Sequence, residues 1–138
     1  MRTVLGFDFG FKRLGIAVGQ ELTATTQPLA TVAVNNQTPD WPRIDELINQ
    51  WRPQLLLVGL PLHMDGTEQH MTHAARNFAK QLQARYGLTV ELVDERLTSS
   101  EAHAIVADRR RTKQLRRRKS KQAVDAIAAE LIIRTWLN

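Results

Sequence analysis

Three short apolar runs open the chain, and their links are too short to hold helices. TVLGFDF at 3–9, RLGIAVG at 13–19 and PLATVAV at roughly 28–34 have the length and β-branched content of strands, with Gly-, Lys- and Thr-containing turns between them. A parallel connection needs a dozen or more residues, so three strands linked this closely must fold back as an antiparallel meander.

After residue 35 the pattern changes. Asp40 can cap a helix that has Pro42 in its first turn and Ile44, Leu47, Ile48 and Trp51 at helical spacing, and Pro53 ends it. LLLVG at 55–59 reads as a buried strand, followed by the loop LPLHMDG and a helix opened by Thr67 and closed by Gly87. TVELV at 89–93 is a further strand, and Thr98 with Glu101 forms a capping box for a short helix to about 108. A last helix from about 119 to 137 carries Val124, Ile127, Ala128 and Leu131 on one stripe. Strands and helices alternating after a meander require a mixed sheet covered on both faces. The expected fold is therefore α/β, with five strands, the first three antiparallel and the later ones parallel. No repeat or linker divides residues 1–138, which are expected to form one domain.

The chain has no cysteine, which excludes disulfides, thiolate zinc sites and cysteine nucleophiles and agrees with a reducing compartment such as the cytoplasm. No apolar run approaches the ~18 residues of a membrane span, and Asp8 comes too early for a signal-peptide core. Net charge is +5, but residues 109–121 (RRRTKQLRRRKSK) hold nine of the nineteen Lys and Arg and no acid. The remainder, ten basic against fourteen acidic residues, is mildly negative. A basic segment beside an acidic body suits a polyanion contact such as a nucleic-acid backbone; a solvated linker has the same composition.

Three acids occupy apolar settings. Asp8 lies between Phe7 and Phe9 near the end of the first strand, where an ionised carboxylate needs a pair or a cation, with Lys12 or Arg13 as structural partners. Asp125 heads the stripe Ala129, Ile132 and Trp136 on the last helix and has Lys121 one turn before it. Asp94 and Glu95 follow a strand directly, where open α/β sheets gather ligand-binding groups. Adjacent strand residues face opposite ways, and the longer Glu95 is preferred, with Asp94 as the alternative. Three acids without cysteine or clustered histidine make an oxygen-rich set suited to Mg²⁺ or Mn²⁺, and the matching chemistry is phosphodiester hydrolysis. His63, His70 and His73 read as surface residues, and Gly59, Pro61 and Gly66 as loop-shaping ones.

GFDFGFKRLGIA, VGLPLHMDGT, VDERLTSSEA and KQAVDAIAAELII together resemble the four signature blocks of the YqgF/RuvX family, in family order and across nearly the whole chain. The resemblance implies a ribonuclease H-like fold and a nuclease maturing the 5′ end of the pre-16S ribosomal RNA. It also implies, as the alternative, a Holliday junction resolvase acting on branched DNA. By motif, Asp8, Glu95 and Asp125 become the catalytic and metal-binding acids. Lys12 and Arg13 match the basic turn after the first strand; with Arg116, Arg117, Arg118 and Lys121 they are the expected nucleic-acid contacts. Phe11 departs from the pattern, since a small hydroxyl residue such as Thr is commoner there. Two other classes fit parts of the sequence: an actin-like ATPase, whose phosphate loop GFDFG resembles but which needs a second domain, and a non-catalytic RNA-binding module with structural acids. Monomer and homodimer both fit the sequence, and no membrane partner is expected.

Overall fold

The computed structural model describes residues 2–97 and 121–138. The capping box at Thr98 and Glu101, and Arg116, Arg117 and Arg118, lie outside the described residues, as does the side chain of Lys121. The elements run β1 (Thr3–Phe9), β2 (Arg13–Gln20), β3 (Thr25–Asn35), β4 (Thr38–Pro39), α1 (Trp41–Trp51), β5 (Leu55–Leu60), α2 (His70–Tyr86), β6 (Thr89–Asp94), a 3₁₀ turn (Glu95–Leu97) and α3 (Lys121–Leu137). They form a mixed sheet in the order β4-β3-β2-β1-β5-β6, with β1 to β4 antiparallel and β1-β5-β6 parallel. The sheet has six strands rather than five. The addition is the two-residue β4, which pairs with Val34 and Asn35 through a turn whose Asn36 and Gln37 both take positive φ. Two successive positive-φ residues are the geometry that matches strand twist in a tight hairpin.

Strand alternation divides the core. Leu5, Phe7 and Phe9 of β1 join Leu14, Ile16 and Val18 of β2 and Leu56, Val58 and Leu60 of β5 on the face covered by α1 and α2. Phe78 of α2 fills the middle of this layer, stacked on Phe9 at 4.8 Å and edge-on to Phe7 at 5.6 Å. On the opposite face Val4, Ala17, Leu55, Leu57 and Val93 pack against Ala129, Ile132 and Ile133 of α3. That second face carries Asp8.

Glycines let α3 lie close to the sheet. A Cβ at Gly6 or Gly19 would stand 2.6 Å or 2.5 Å from the Ile133 side chain, and one at Gly15 would stand 2.0 Å from the Asp125 carbonyl oxygen. The helix is also tied by Thr26, whose hydroxyl donates to buried Glu130 at 2.7 Å, and by Arg134, which donates to the Ala24 carbonyl at 2.7 Å. On the first face, Asp45 of α1 accepts from Arg85 at 2.9 and 2.8 Å and from the Tyr86 hydroxyl at 2.6 Å, which braces α1 against the end of α2. No helix among the described residues is long and apolar enough to cross a membrane.

Candidate active site

Asp8 stands on the central strand with a glycine on either side. β2 places Gly15 opposite it in register, and the parallel pairing of Phe7 with Val58 brings Gly59 of β5 alongside. Each glycine admits something that a side chain would exclude. Over Gly15 lies the backbone of α3 at Asp125, and over Gly59 lies the carboxyl carbon of Glu95, 3.1 Å from where a Cβ would be. The sheet thus brings together three acids that are 87 and 30 positions apart in sequence.

Alternation at the end of β6 separates the two adjacent acids. Val93 packs under α3, so Asp94 turns to the other side, and the chain breaks into the 3₁₀ turn that returns Glu95 over Gly59. Asp94 is held by Arg96, which donates to it from its backbone amide at 2.9 Å and from its guanidinium at 2.7 to 3.2 Å. This pairing lowers the Asp94 pKa. Arg96 also donates to the Met64 carbonyl at 3.3 Å and so ties the loop after β5 to the end of β6.

The electrostatics of Asp8 and Glu95 run the other way. Burial, and then the charge of Asp125, raise the Asp8 carboxyl from 3.8 to about 6. Burial, followed by the charges of Asp8 and Asp94, raises Glu95 from 4.5 to about 7. Asp125 is paired: its Oδ2 accepts from Arg13 Nε at 2.7 Å, a bond between β2 and α3. Arg13, expected at the substrate, is thus engaged with an acid of the site, and it supplies Asp125 with an ion-pair partner from another element. Lys12 is exposed and forms no ion pair among the described residues. His63, His70 and His73 are exposed, as the sequence suggested.

Among the described residues, no three His, Asp or Glu side chains already stand close enough to hold one ion. The donor chemistry nevertheless fits a hard divalent cation: Asp8 and Glu95 offer only carboxylate oxygens, in a partly buried setting that resists their ionisation. Sequence reasoning missed Gly15 and Arg96 and took Gly59 as loop-shaping. The available signal was a glycine inside a strand, which marks close approach of another group.

The raised carboxyls set a pH dependence for the metal-free protein. Unfolded, both acids ionise near pH 4, whereas the folded chain keeps their protons to about pH 6 and about pH 7. The folded state binds more protons through that window, so stability must fall as pH rises from about 4 to 7 and level off above it. Allowing for solvent at the open end of the site, the loss is roughly 3 kcal/mol for the two groups. Urea unfolding with chelator at pH 5, 6 and 7.5 measures it. A saturating divalent cation should flatten the decline, and a metal-free stability that rises across the window would contradict the arrangement.

Comparisons with known proteins place the chain in a family and a fold. A family model described as RuvX, Holliday junction resolvase, matches residues 2–138. A relative from Aeromonas hydrophila carrying the name pre-16S rRNA nuclease is 46% identical over 136 residues, covering 99% of this chain and 94% of its own. One of the same name from Nitrosococcus oceani is 49% identical over 136 residues, covering 99% of this chain and 86% of its own. Among solved structures, Thermus thermophilus RuvC in complex with a Holliday junction substrate superposes with a TM-score of 0.58 at 18% identity, over 98% of this chain and 92% of that one. The yeast mitochondrial Holliday junction resolvase Ydc2 gives 0.54 at 11% identity, over 97% and 77%. At such identities these two similarities concern the fold alone, and that fold is the ribonuclease H-like one.

Proposed function

This chain belongs to the RuvX family, and on that premise we propose that it is a metal-dependent nuclease that hydrolyses phosphodiester bonds in 5′-end maturation of pre-16S ribosomal RNA. Residues 1–138 act as one domain, and the work is done in the cytoplasm, where the precursor is made. The observation that carries the reading is the pair Asp8 and Glu95, set beside Gly59 with proton affinities raised first by burial and then by neighbouring acids, Asp125 for Asp8 and Asp8 with Asp94 for Glu95. Carboxyls whose proton affinity is raised by burial and by neighbouring acids cluster where a fold uses their charge.

Asp8 and Glu95 would hold the divalent ion, Mg²⁺ or Mn²⁺, with Asp125 as the third acid. When bound, the ion supplies Lewis acidity and an activated water for attack on phosphorus. The chain's own residues do the rest. Gly15 and Gly59 clear the floor of the site. Arg13 fixes the Asp125 carboxylate and places a guanidinium beside the acids, where a phosphate oxygen can be met. Arg96 holds the loop after β5 and keeps Asp94 out of the site. Lys12 and the run Arg116, Arg117, Arg118 and Lys121 serve the nucleic-acid backbone, a contact that reads charge rather than base identity.

The second reading, resolution of branched DNA, is favoured by the description of the family itself. Phosphate contacts and metal chemistry are common to both, so the substrate decides. Chelator-treated protein is mixed with a pre-16S 5′ leader RNA and with a four-way DNA junction, with and without added Mg²⁺ or Mn²⁺. The expected result is cleavage of the RNA only when metal is present, with the junction bound but uncut. The reverse preference would transfer the assignment to junction resolution, and no metal-dependent cleavage of either would end the nuclease reading.

A further inference from the structure

Large apolar side chains left in water are informative where they cluster at a site. Among the described residues four are exposed: Phe11, Leu22, Met64 and Leu92. Two of them border the acids. Phe11, 43% exposed, is in the β1–β2 turn three residues after Asp8, which limits the separation of their Cα atoms to about 10 Å. Met64, 87% exposed, is in the loop after β5 that Arg96 ties to the 3₁₀ turn bearing Glu95.

Phe11 is also held. The turn is closed by the Gly10 amide donating to the Arg13 carbonyl at 2.9 Å, and the Lys12 carbonyl accepts from the Val34 amide at 3.0 Å, so both sides of the turn are pinned to the sheet. Its ring lies against that of His70, at the start of α2, with centroids 5.5 Å apart and planes inclined at 58°. His70 therefore supports the ring at an angle rather than covering it face to face. The result is a positioned aromatic surface open to solvent, followed directly in sequence by exposed Lys12.

We propose that the Phe11 ring, supported by His70, is a stacking platform for one unpaired nucleobase of the substrate strand, next to the phosphate that the acids act on. This rests on the nuclease reading above and adds a substrate class to it: a single-stranded or frayed segment. A base can stack on a protein ring only after leaving its own helix, and any base can do so because each has a π face. Lys12, one residue on, is placed to meet a phosphate of the same strand. A hydroxyl residue at position 11 could donate one hydrogen bond to phosphate but could not stack.

The test uses a single-stranded RNA with 2-aminopurine at successive positions, and the same RNA annealed to its complement, each titrated with the full-length protein in chelator. With the parent protein, stacking should quench the fluorophore at one position of the single strand and leave the duplex unchanged. Phe11→Ala should abolish the quench and weaken single-strand binding by about 5- to 100-fold, the range for loss of one stacked base, with duplex affinity within twofold. Phe11→Trp should restore both, whereas Phe11→Leu, apolar but not planar, should not. Position 11 is exposed, so unchanged melting temperatures should accompany these changes.

Metal-dependent cleavage by the parent without a quench at any position would overturn the platform while leaving the nuclease reading intact. A Phe11-dependent quench without cleavage of any substrate would do the opposite. Equal losses on single strand and duplex in Phe11→Ala would also overturn the proposal, because they indicate a contact that ignores base pairing.

Discussion

Asp8→Asn is expected to lower metal-dependent cleavage by more than a hundredfold while leaving substrate affinity within severalfold. Loss of a group that merely orients a metal ligand costs about 10- to 100-fold, and removal of a ligand on the central strand should exceed that. Binding should survive because the basic residues, and not the acid, meet the nucleic-acid backbone. The same change should raise the stability of the chelated protein at pH 7.5 by about 1–2 kcal/mol, since it deletes a charge that the fold holds against burial and against Asp125. It should also bring the Glu95 pKa down, because Asp8 is one of the charges raising it. Opposite signs in activity and in metal-free stability distinguish a site acid from a structural one, whose loss would reduce both. Glu95→Gln should follow Asp8→Asn in both signs. Asp94→Asn should instead weaken the hold of Arg96, giving a smaller loss of rate and no gain in stability. Kinetics with saturating Mg²⁺ and urea melts with chelator, run on all three variants, test the assignment, and an Asp8→Asn enzyme of near-parental turnover would refute it.

The departures from the sequence reading come from local chemistry that looked ambiguous or from contacts remote in sequence. The apolar run predicts a strand over roughly 28–34, and β3 extends further, from Thr25 to Asn35. The register shift between Ile16 and Ala17 falls opposite Pro28, where the ladder is already interrupted. Helix α2 begins at His70 rather than near Thr67. Asp65 takes both the amide and the hydroxyl of Thr67, at 2.9 and 2.7 Å, in a local turn, and Thr72 then caps the helix by accepting from the Gln69 amide at 3.0 Å. At Thr67 a short polar side chain could either open the helix or close a turn on Asp65, and the sequence alone did not rank the two.

Among the candidate acids, Asp8 and Asp125 stand out in the sequence because each interrupts an apolar pattern, and Asp94 and Glu95 because they follow a strand end, where alternation sets the two apart. The pairing of Arg13 with Asp125 was not legible: 112 residues separate them, whereas Lys121 stood one turn away on the same helix. Gly59 was read as a residue that shapes the loop after β5. Its lack of a side chain in fact serves Ile132 and Glu95, two groups brought over it by packing of the final helix and by the end of β6.

The same reasoning makes Gly15→Ala the most damaging single methyl that can be added to this protein's second face. At Gly15 the nearest atoms are all backbone: the Asp125 carbonyl oxygen at 2.0 Å, its carbon at 2.4 Å and the Ala126 nitrogen at 3.0 Å from the new Cβ. No rotamer change relieves that clash, so α3 must lift or slide. Overpacking of this kind costs roughly 3 kcal/mol or more, enough to lower the melting temperature by about 10 °C in a domain of this size. Because the displaced backbone belongs to Asp125, cleavage by the molecules still folded should fall as well, and the Arg13 ion pair should weaken with it. Gly19→Ala is the control. Its new Cβ meets the Ile133 Cγ2 atom at 2.5 Å and Val4 Cγ2 at 3.1 Å, side-chain atoms that can turn aside, and it lies at the other end of β2. It should lose about 1–2 kcal/mol and keep its rate per folded molecule. Thermal melts and single-turnover cleavage of both variants at a temperature where each is folded separate the two effects. If Gly15→Ala melted like the parent, α3 could not be seated on β2 as described, and the placement of Asp125 beside Asp8 would fall with it.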